Sequence, residues 1–292
     1  MFSTIKRLAT IPERIRYRLY PRVSEYRLDR STKNARRILG ENGPLRVLID
    51  NSVLANSVTH ETQWIRTGKA PWGNGIRGTG YAARVPVHSG QNDSFIYRQV
   101  CYLPGVACLA NAGLIELYQS AELRSERDRQ PIGLYRGYSW LDYSIFGSAN
   151  IPSIDGDVCE IMTGWPPKGP GDWAREQRAR LESSDDPLYT QILSTLPAKS
   201  NQDAWHIRTA ERHELFCFLT MDRKLLATCH SQRKKEPLKS LKTKILSPQD
   251  FAAVLGIQPV PPRLLSYNDS SFFVRADLSM PGNKRRSRSD YA

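Results

Sequence analysis

Twice in this chain a short, unbroken apolar run stops on an aspartate and passes into a helical pattern. "LRVLID" (45–50) leads to Asn51-Ser52, and "FCFLTMD" (216–222) leads to "RKLLATCH". A brief apolar run without alternation is buried on both faces, as a strand inside a parallel sheet must be. From Asp186 onward the pattern is sustained. "DPLYTQILSTL" and "NQDAWHIRTAERHE" have helical spacing, "LFCFLT" and "LKTKILS" read as strands, and "DRKLLATCH" and "PQDFAAVLG" as helices, the last opened by proline and closed by Gly256. Upstream, "RQVCYLPGVACLANAG" predicts a helix closed by Gly113. Leu114 to Tyr118 then reads as a strand, and a new helix opens near Ser120. Strands alternating with helices predict an α/β fold, with functional groups at the carboxyl ends of a mainly parallel sheet.

Two stretches depart from this alternation. Residues 68–94, including "GKAPWGNGIRGTG", are rich in Gly, Asn and Pro and read as a long loop. Residues 130–175 form a second irregular region with Tyr135, Tyr138, Trp140, Tyr143, Phe146, Trp165 and Trp173. Such aromatics serve either to stack bases or to build a satellite core. The expected organisation is a basic N-terminal extension (1–43), a body (44–258) with insertions at about 56–97 and 130–185, and a C-terminal extension (259–292).

Charge is placed unevenly. Of the formal +13, residues 1–40 hold a net +8, eleven Lys or Arg against Glu13, Glu25 and Asp29, and residues 282–292 hold +3. Basic ends on a nearly neutral body suit a polyanion, whose neutralised phosphates release counterions, and an anionic membrane surface would serve equally. Ile5, Leu8, Ile11, Ile15 and Leu19 recur at helical spacing among the arginines, with Pro12 interrupting, which favours a helix packed on the body. The three acids argue against a cleaved organellar peptide, which is usually acid-poor. The tail "NKRRSRSD" reads as disordered. No apolar run approaches the ~18 residues of a membrane span. Cys101, Cys108, Cys159, Cys217 and Cys229 contain no C-x-x-C pair, which fits reduced thiols in a cytoplasmic protein and makes a structural zinc site unexpected.

Asp50, Asp203 and Asp222 each lie at or near a predicted helix start, where a single carboxylate is a good cap. In a parallel sheet with neighbouring strands, Asp50 and Asp222 would emerge at the same edge. Converging carboxylates repel and raise each other's pKa unless a cation neutralises them, and oxygen ligands favour Mg²⁺ or Mn²⁺.

Four segments together resemble the PIN-domain nucleases: "VLIDNSVL" (47–54), "LIELYQSAELRSE" (114–126), "DAWHIRTAERHELFCFLTMDRKLL" (203–226) and "KILSPQDFAAVLG" (244–256). The third is the most specific, an Asp-Ala-x-His helix followed by an apolar strand, Thr-x-Asp and Leu-Leu. The resemblance implies a PIN-like three-layer α/β/α sandwich with long loop-rich insertions. Its acids fall on Asp50, Glu126, Asp203 and Asp222, with Glu122, one helical turn from Glu126, as the alternative second acid. Asn51, Ser52 and Thr220 would line the site, although Ser52 and Thr220 equally suit local turn capping. His206, one turn after Asp203, suits contact with a phosphate or a carboxylate but fits a packed or surface position better, and Arg208, Arg212, Arg223 and Lys224 suit phosphate contact but fit solvated helix faces better.

A compact PIN domain is roughly half this length, so the resemblance leaves out 1–40, 56–97, 130–185 and 262–292. It implies hydrolysis of phosphodiester bonds with Mg²⁺ or Mn²⁺, leaving a 5′-phosphate and a 3′-hydroxyl, on RNA in preference to DNA. An antitoxin-like protein is the kind of partner it implies. The alternative is a PIN-like module without turnover that binds nucleic acid or a protein. A Rossmann or P-loop enzyme is disfavoured, since no G-x-G-x-x-G follows a first strand and "GNGIRGTG" lacks Gly-Lys-Ser/Thr.

Overall fold

The computed structural model describes residues 13–88, 94–128, 144–156, 170–197, 200–265 and 272–274. In chain order it runs α1 (Glu13–Asn42), β1 (Leu45–Ile49), α2 (Asn51–Asn56), β2 (His60–Trp72), β3 (Gly75–Pro86), α3 (Phe95–Val100), α4 (Leu103–Asn111), β4 (Ile115–Tyr118) and α5 (Ala121–Asp128). There follow α6 (Pro170–Glu182), α7 (Pro187–Thr195), α8 (Asn201–Arg212), β5 (Cys217–Leu219), α9 (Arg223–Gln232), β6 (Lys244–Leu246), α10 (Pro248–Leu255) and β7 (Phe272–Val274).

The central sheet has the order β4-β1-β5-β6, and its three pairings are all parallel. Period-two alternation sends the strand side chains to two separate cores. Val47, Ile49, Ile115, Leu117, Cys217 and Leu219 join Ala35 and Leu39 of α1, Val106 and Leu109 of α4, and Phe251 and Leu255 of α10. Leu48 and Phe218 face the other way, onto Leu123 of α5, Leu181 of α6, Ile192 of α7, Ala204 and Ile207 of α8, and Leu225 of α9. Each such side chain, when fully buried, contributes about 1.5–3 kcal/mol of transfer free energy. Close packing at the first core depends on Gly105, where a Cβ would lie 2.5 Å from Ile257 Cγ2. Gly256 ends α10 in the left-handed region at φ +69°, which only glycine adopts freely.

The basic N-terminal helix packs on the body. Tyr20 Oη donates to Arg263 O (2.7 Å), Ser24 Oγ donates to Leu264 O (3.0 Å), and Tyr20, Val260 and Leu264 bury together. The proline inside α1 is Pro21; Ile5, Leu8, Ile11 and Pro12 lie outside the described residues, and Leu19 is exposed. The basic tail beyond residue 274 also lies outside them.

The expected loop is corrected by the structure over 68–86, while 89–93 lie outside the described residues. β2 and β3 form a long antiparallel hairpin from the pair His60–Pro86 to Trp72–Gly75, and β7 joins it at Ala82–Arg84. The two-residue turn Gly73-Asn74 has Gly73 at φ +58°, the glycine-first arrangement of a type II′ hairpin turn. Its many turn-forming residues lie within a ribbon rather than a loop. Of the aromatics expected at the second irregular region, Phe146 is buried in the first core, and Tyr135, Tyr138, Trp140, Tyr143 and Trp165 lie outside the described residues.

Arg208 is also corrected: it is buried rather than solvated. Its Nε and Nη2 donate to Asp186 Oδ2 (2.7 and 2.5 Å), and its guanidinium lies 4.5 Å from the Trp205 ring centroid. Asp186 meanwhile caps α7 by accepting from Tyr189 N (3.1 Å). Burial alone would raise the Asp186 carboxyl; the bonds from Arg208 and the backbone amides overcome this and hold it below the ordinary range. A depressed carboxylate stabilises the fold above its unfolded pKa, and that stability is lost as pH falls through the lower folded value. Asp186→Ala removes a cap and strands a buried guanidinium, so it is expected to cost about 3 kcal/mol or more at pH 7 in urea unfolding. The difference from wild type should shrink as the pH falls below about 4; a variant within 0.5 kcal/mol of wild type at pH 7 would show that Arg208 relaxes to solvent.

Candidate functional site

The connection leaving β1 crosses one face of the sheet to β4, and the connection leaving β5 crosses the other face to β6. The carboxyl ends of β1 and β5 therefore flank the switch point at which open α/β sheets place ligands. Asp50 is the residue immediately after β1. It occupies the N-cap of α2 but makes no side-chain capping bond. Instead its Oδ2 accepts from Ser52 Oγ (2.5 Å) and Thr220 Oγ1 (2.7 Å). The same hydroxyls accept from the backbone of the β5 loop, Ser52 Oγ from Met221 N (2.9 Å) and Thr220 Oγ1 from Asp222 N (3.0 Å). Ser52 and Thr220 thereby fasten the two strand ends together around one oxygen of Asp50. Its other oxygen, Oδ1, engages no hydrogen-bond donor among the described residues.

Asp222 is the N-cap of α9, and its Oδ1 accepts from Lys224 N (2.7 Å) and Leu225 N (3.1 Å). Asp203 lies in the first turn of α8, whose N-cap is Ser200. Burial pushes the Asp203 carboxyl up to about 6; the charges of Asp50 and Asp222 add to the rise, and His206 and Ser200 oppose it. Burial likewise raises Asp50, with the hydroxyls of Ser52 and Thr220 and the His206 charge working against it and the Glu126 charge with it. All four predicted acids thus act on one another, directly or through His206.

The two glutamates of α5 are held differently. Glu122 is buried and bound by Arg180 (Nη2 2.5 Å, Nε 3.1 Å) and by Gln177 Nε2 (2.7 Å), both on α6. Glu126 meets His206 Nε2 at 3.2 Å through Oε1 and accepts from Asn51 Nδ2 at 3.4 Å through Oε2. Asn51 is in turn fixed by Gln119 Nε2, which donates to its Oδ1 (3.0 Å), and Gln119 accepts from Arg127 Nη1 (2.8 Å).

His206 was placed by its sequence context on a packed or surface position, and the structure adds what it packs against. It is buried, with Glu126 on one ring nitrogen and Ser120 Oγ 3.4 Å from the other. Burial alone would lower its pKa; the charge and hydrogen bond of Glu126, with Asp50 and Asp203, push it up to about 8. The ring is a buried cation among carboxylates. Its position one turn after Asp203 was the available signal; the partner on α5 was not visible from spacing. Gln119 and Gln177 carried no signal at all.

As the side chains stand, no group of three His, Cys, Asp or Glu among the described residues is drawn together as a metal cage. The carboxylates share a field without closing on a common point. Comparison with known proteins returns no match: no family model, no curated protein and no solved structure is similar to the chain.

A carboxyl raised by its surroundings binds its proton more tightly folded than unfolded. Between about pH 4, the unfolded value, and about pH 6, the folded value, stability therefore falls as pH rises, and the loss persists above that window. Asp203→Asn removes the strain. With a chelator present, the variant is expected to exceed wild type by on the order of 2 kcal/mol at pH 7.5, with the gap closing by pH 4. Equal or lower stability of the variant at pH 7.5, by urea unfolding, would mean that Asp203 is well solvated.

Proposed function

We propose that this chain is a metal-dependent phosphodiesterase of the PIN-like kind, an endonuclease whose substrate is RNA. The observation that carries the proposal is the electrostatic coupling of Asp50, Asp203 and Asp222 at the carboxyl ends of β1 and β5, with Glu126 joined to them through His206. Carboxyl groups that burial raises beside other acids, as at Asp50 and Asp203, are costly to a fold that makes no use of them.

The donor set fits Mg²⁺ or Mn²⁺ in kind. It consists of hard carboxylate oxygens, and Asp50 Oδ1 and Asp222 Oδ2 are engaged by no donor among the described residues. Asp50, Glu126, Asp203 and Asp222 would hold the ion. When bound, it supplies Lewis acidity, acidifying water and offsetting the charge that develops on the scissile phosphate.

The chain's own contribution is orientation. Ser52 and Thr220 donate to Asp50 and favour its ionised form, so the carboxylate is presented ready for use. His206 and Asn51 grip one oxygen each of Glu126 and fix its plane. The Asp222 carboxylate is anchored through Oδ1 by the amides of α9. The basic segments at 1–40 and 284–288 would hold the phosphate backbone by charge alone.

The test is cleavage of end-labelled single-stranded RNA and DNA with Mg²⁺, Mn²⁺ or a chelator. Wild type is expected to cut RNA with either ion, leave 5′-phosphate ends, and stop when the ion is removed. Asp50→Asn and Asp222→Asn, with circular dichroism unchanged, are expected to lose about a hundredfold or more in rate. If wild type cuts neither polymer with any ion yet binds RNA in a salt-sensitive way with chelator present, the chain is a binding module and the enzymatic proposal fails.

A further inference from the structure

The hairpin projects well beyond the sheet to which it belongs. Among the described residues β7 pairs with it only at Ala82–Arg84, so from Tyr81 to the turn it is there a two-stranded ribbon, roughly 20 Å long at ~3.3 Å per residue. Most of that ribbon is exposed on both faces. A two-stranded ribbon covered on neither face is marginal in water by itself. Its composition is equally unusual. No Asp or Glu occurs between residues 62 and 92, whereas Arg66, Lys69 and Arg77 all lie on the exposed part. None of the three makes an ion pair or hydrogen bond among the described residues, so their charge is directed to solvent.

The register sets which side chains share a face, because directly opposed residues project to the same side and neighbours alternate. Trp72 opposes Gly75, Ala70 opposes Arg77 and Ile65 opposes Tyr81, which places Trp72, Arg77 and Tyr81 on one face. Arg66 opposes Gly80, Lys69 opposes Gly78 and Pro71 opposes Ile76, which places Arg66, Lys69 and Ile76 on the other. Trp72 is 78% exposed and Ile76 74%, values a folded protein seldom leaves uncovered on large apolar groups. One face therefore presents Arg77 with Trp72, and the other presents Arg66 and Lys69 with Ile76.

We infer that this ribbon is an arm that binds single-stranded nucleic acid, its cations tracking the phosphate backbone and Trp72 stacking on an unpaired base. Charge complementarity selects a polyanion, and the aromatic platform selects one with unstacked π-faces. A ribbon can enter the major groove of B-DNA, but the major groove of an RNA duplex is too narrow, so with RNA the partner is an unpaired strand. The arm is also attached close to the acids. Its two ends are joined where Val87 N donates to Thr59 O (2.9 Å), and His88 Nε2 lies 2.8 Å from Asn56 O, the last residue of α2, the helix that Asp50 opens. The inference extends the proposed RNA cleavage, naming the strand that the site would be given.

The experiment measures binding of a fluorescein-labelled 20-nucleotide single-stranded RNA to the full chain by anisotropy, with chelator present so that nothing is cut. Three variants are compared with wild type. Trp72→Ala is expected to weaken binding about five- to a hundredfold, the range for loss of one stacked base. Arg66→Gln/Lys69→Gln/Arg77→Gln is expected to reduce the slope of log affinity against log salt by about 2, at ~0.7 per phosphate neutralised. Lys234→Gln/Lys235→Gln/Lys239→Gln removes equal charge from an exposed surface elsewhere and is expected to leave the slope within 0.5 of wild type.

Wild-type affinity in Trp72→Ala and the Arg/Lys ribbon variant overturns the inference. So does an equal loss in the Lys234 set, or a duplex that binds at least as tightly as the single strand. The two proposals fail separately. If wild type cuts RNA and the ribbon variants cut it equally well at concentrations below KM, the arm falls and the nuclease stands. If binding depends on the ribbon but wild type cuts nothing with any ion, the arm stands and the nuclease falls.

Discussion

The pairing of β1 with strands on both sides is the constraint on which the site depends. Val47–Ile49 pair in parallel with Cys217–Leu219, and Asp50 N donates to Leu219 O (3.0 Å), so the aspartate is fixed by the sheet ladder itself. The next residue on the partner strand, Thr220, donates from its own amide to Leu246 O (3.0 Å). Backbone bonds thus carry the positions of two site residues across three strands. The hydroxyls of Ser52 and Thr220 complete the fastening, both donating to Oδ2 of Asp50. Position comes from the sheet, and orientation from two hydroxyls.

A second tension is electrostatic. Burial and mutual repulsion push Asp50 and Asp203 toward their neutral forms, while His206, held charged by Glu126, pulls the other way. One buried imidazolium is a weak counterweight for four carboxylates. Two other buried or half-buried acids are held differently: Glu122 has Arg180 and Asp186 has Arg208, each an arginine bonded through two nitrogens. At the strand ends the fold supplies hydroxyls, one histidine and backbone amides instead.

How much of this could be read from sequence depended on how local the cause was. β1 and β5 were legible because burial on both faces leaves a largely apolar run, β4 and β6 because helix-ending and helix-starting residues flank them, and Ser247, Pro248 and Gly256 bracket α10 with chemistry that acts within a few residues. Asp50 and Asp222 were legible for the same reason, since each directly follows a strand. The hairpin was not. Gly68, Gly73, Gly75, Gly78, Pro71 and Asn74 are strong local breakers, and what overrides them is pairing between residues up to 26 positions apart, from His60 to Pro86. The roles of His206 and Arg208 were hidden by the same distance. A helix face displays a histidine or an arginine identically whether its partner is water or a carboxylate on another helix.

The breakers that hid the ribbon also explain its form. Glycine opposite Lys69 leaves no side chain beside the ammonium stem, and nothing lies within 4 Å of where a Cβ at Gly78 would stand. Strands normally gain stability from exactly those cross-strand pairs, at roughly 0.2–1 kcal/mol each. A ribbon with glycine opposite Arg66, Lys69 and Trp72 forgoes several of those pairs, and its cations make no ion pair among the described residues. The acids at the end of β1 and the arm that starts one short helix later present groups of opposite sign: carboxylates suited to a cation, and cations suited to a phosphate chain. A metal ion and a nucleic-acid strand are the pair of ligands that would satisfy the two together.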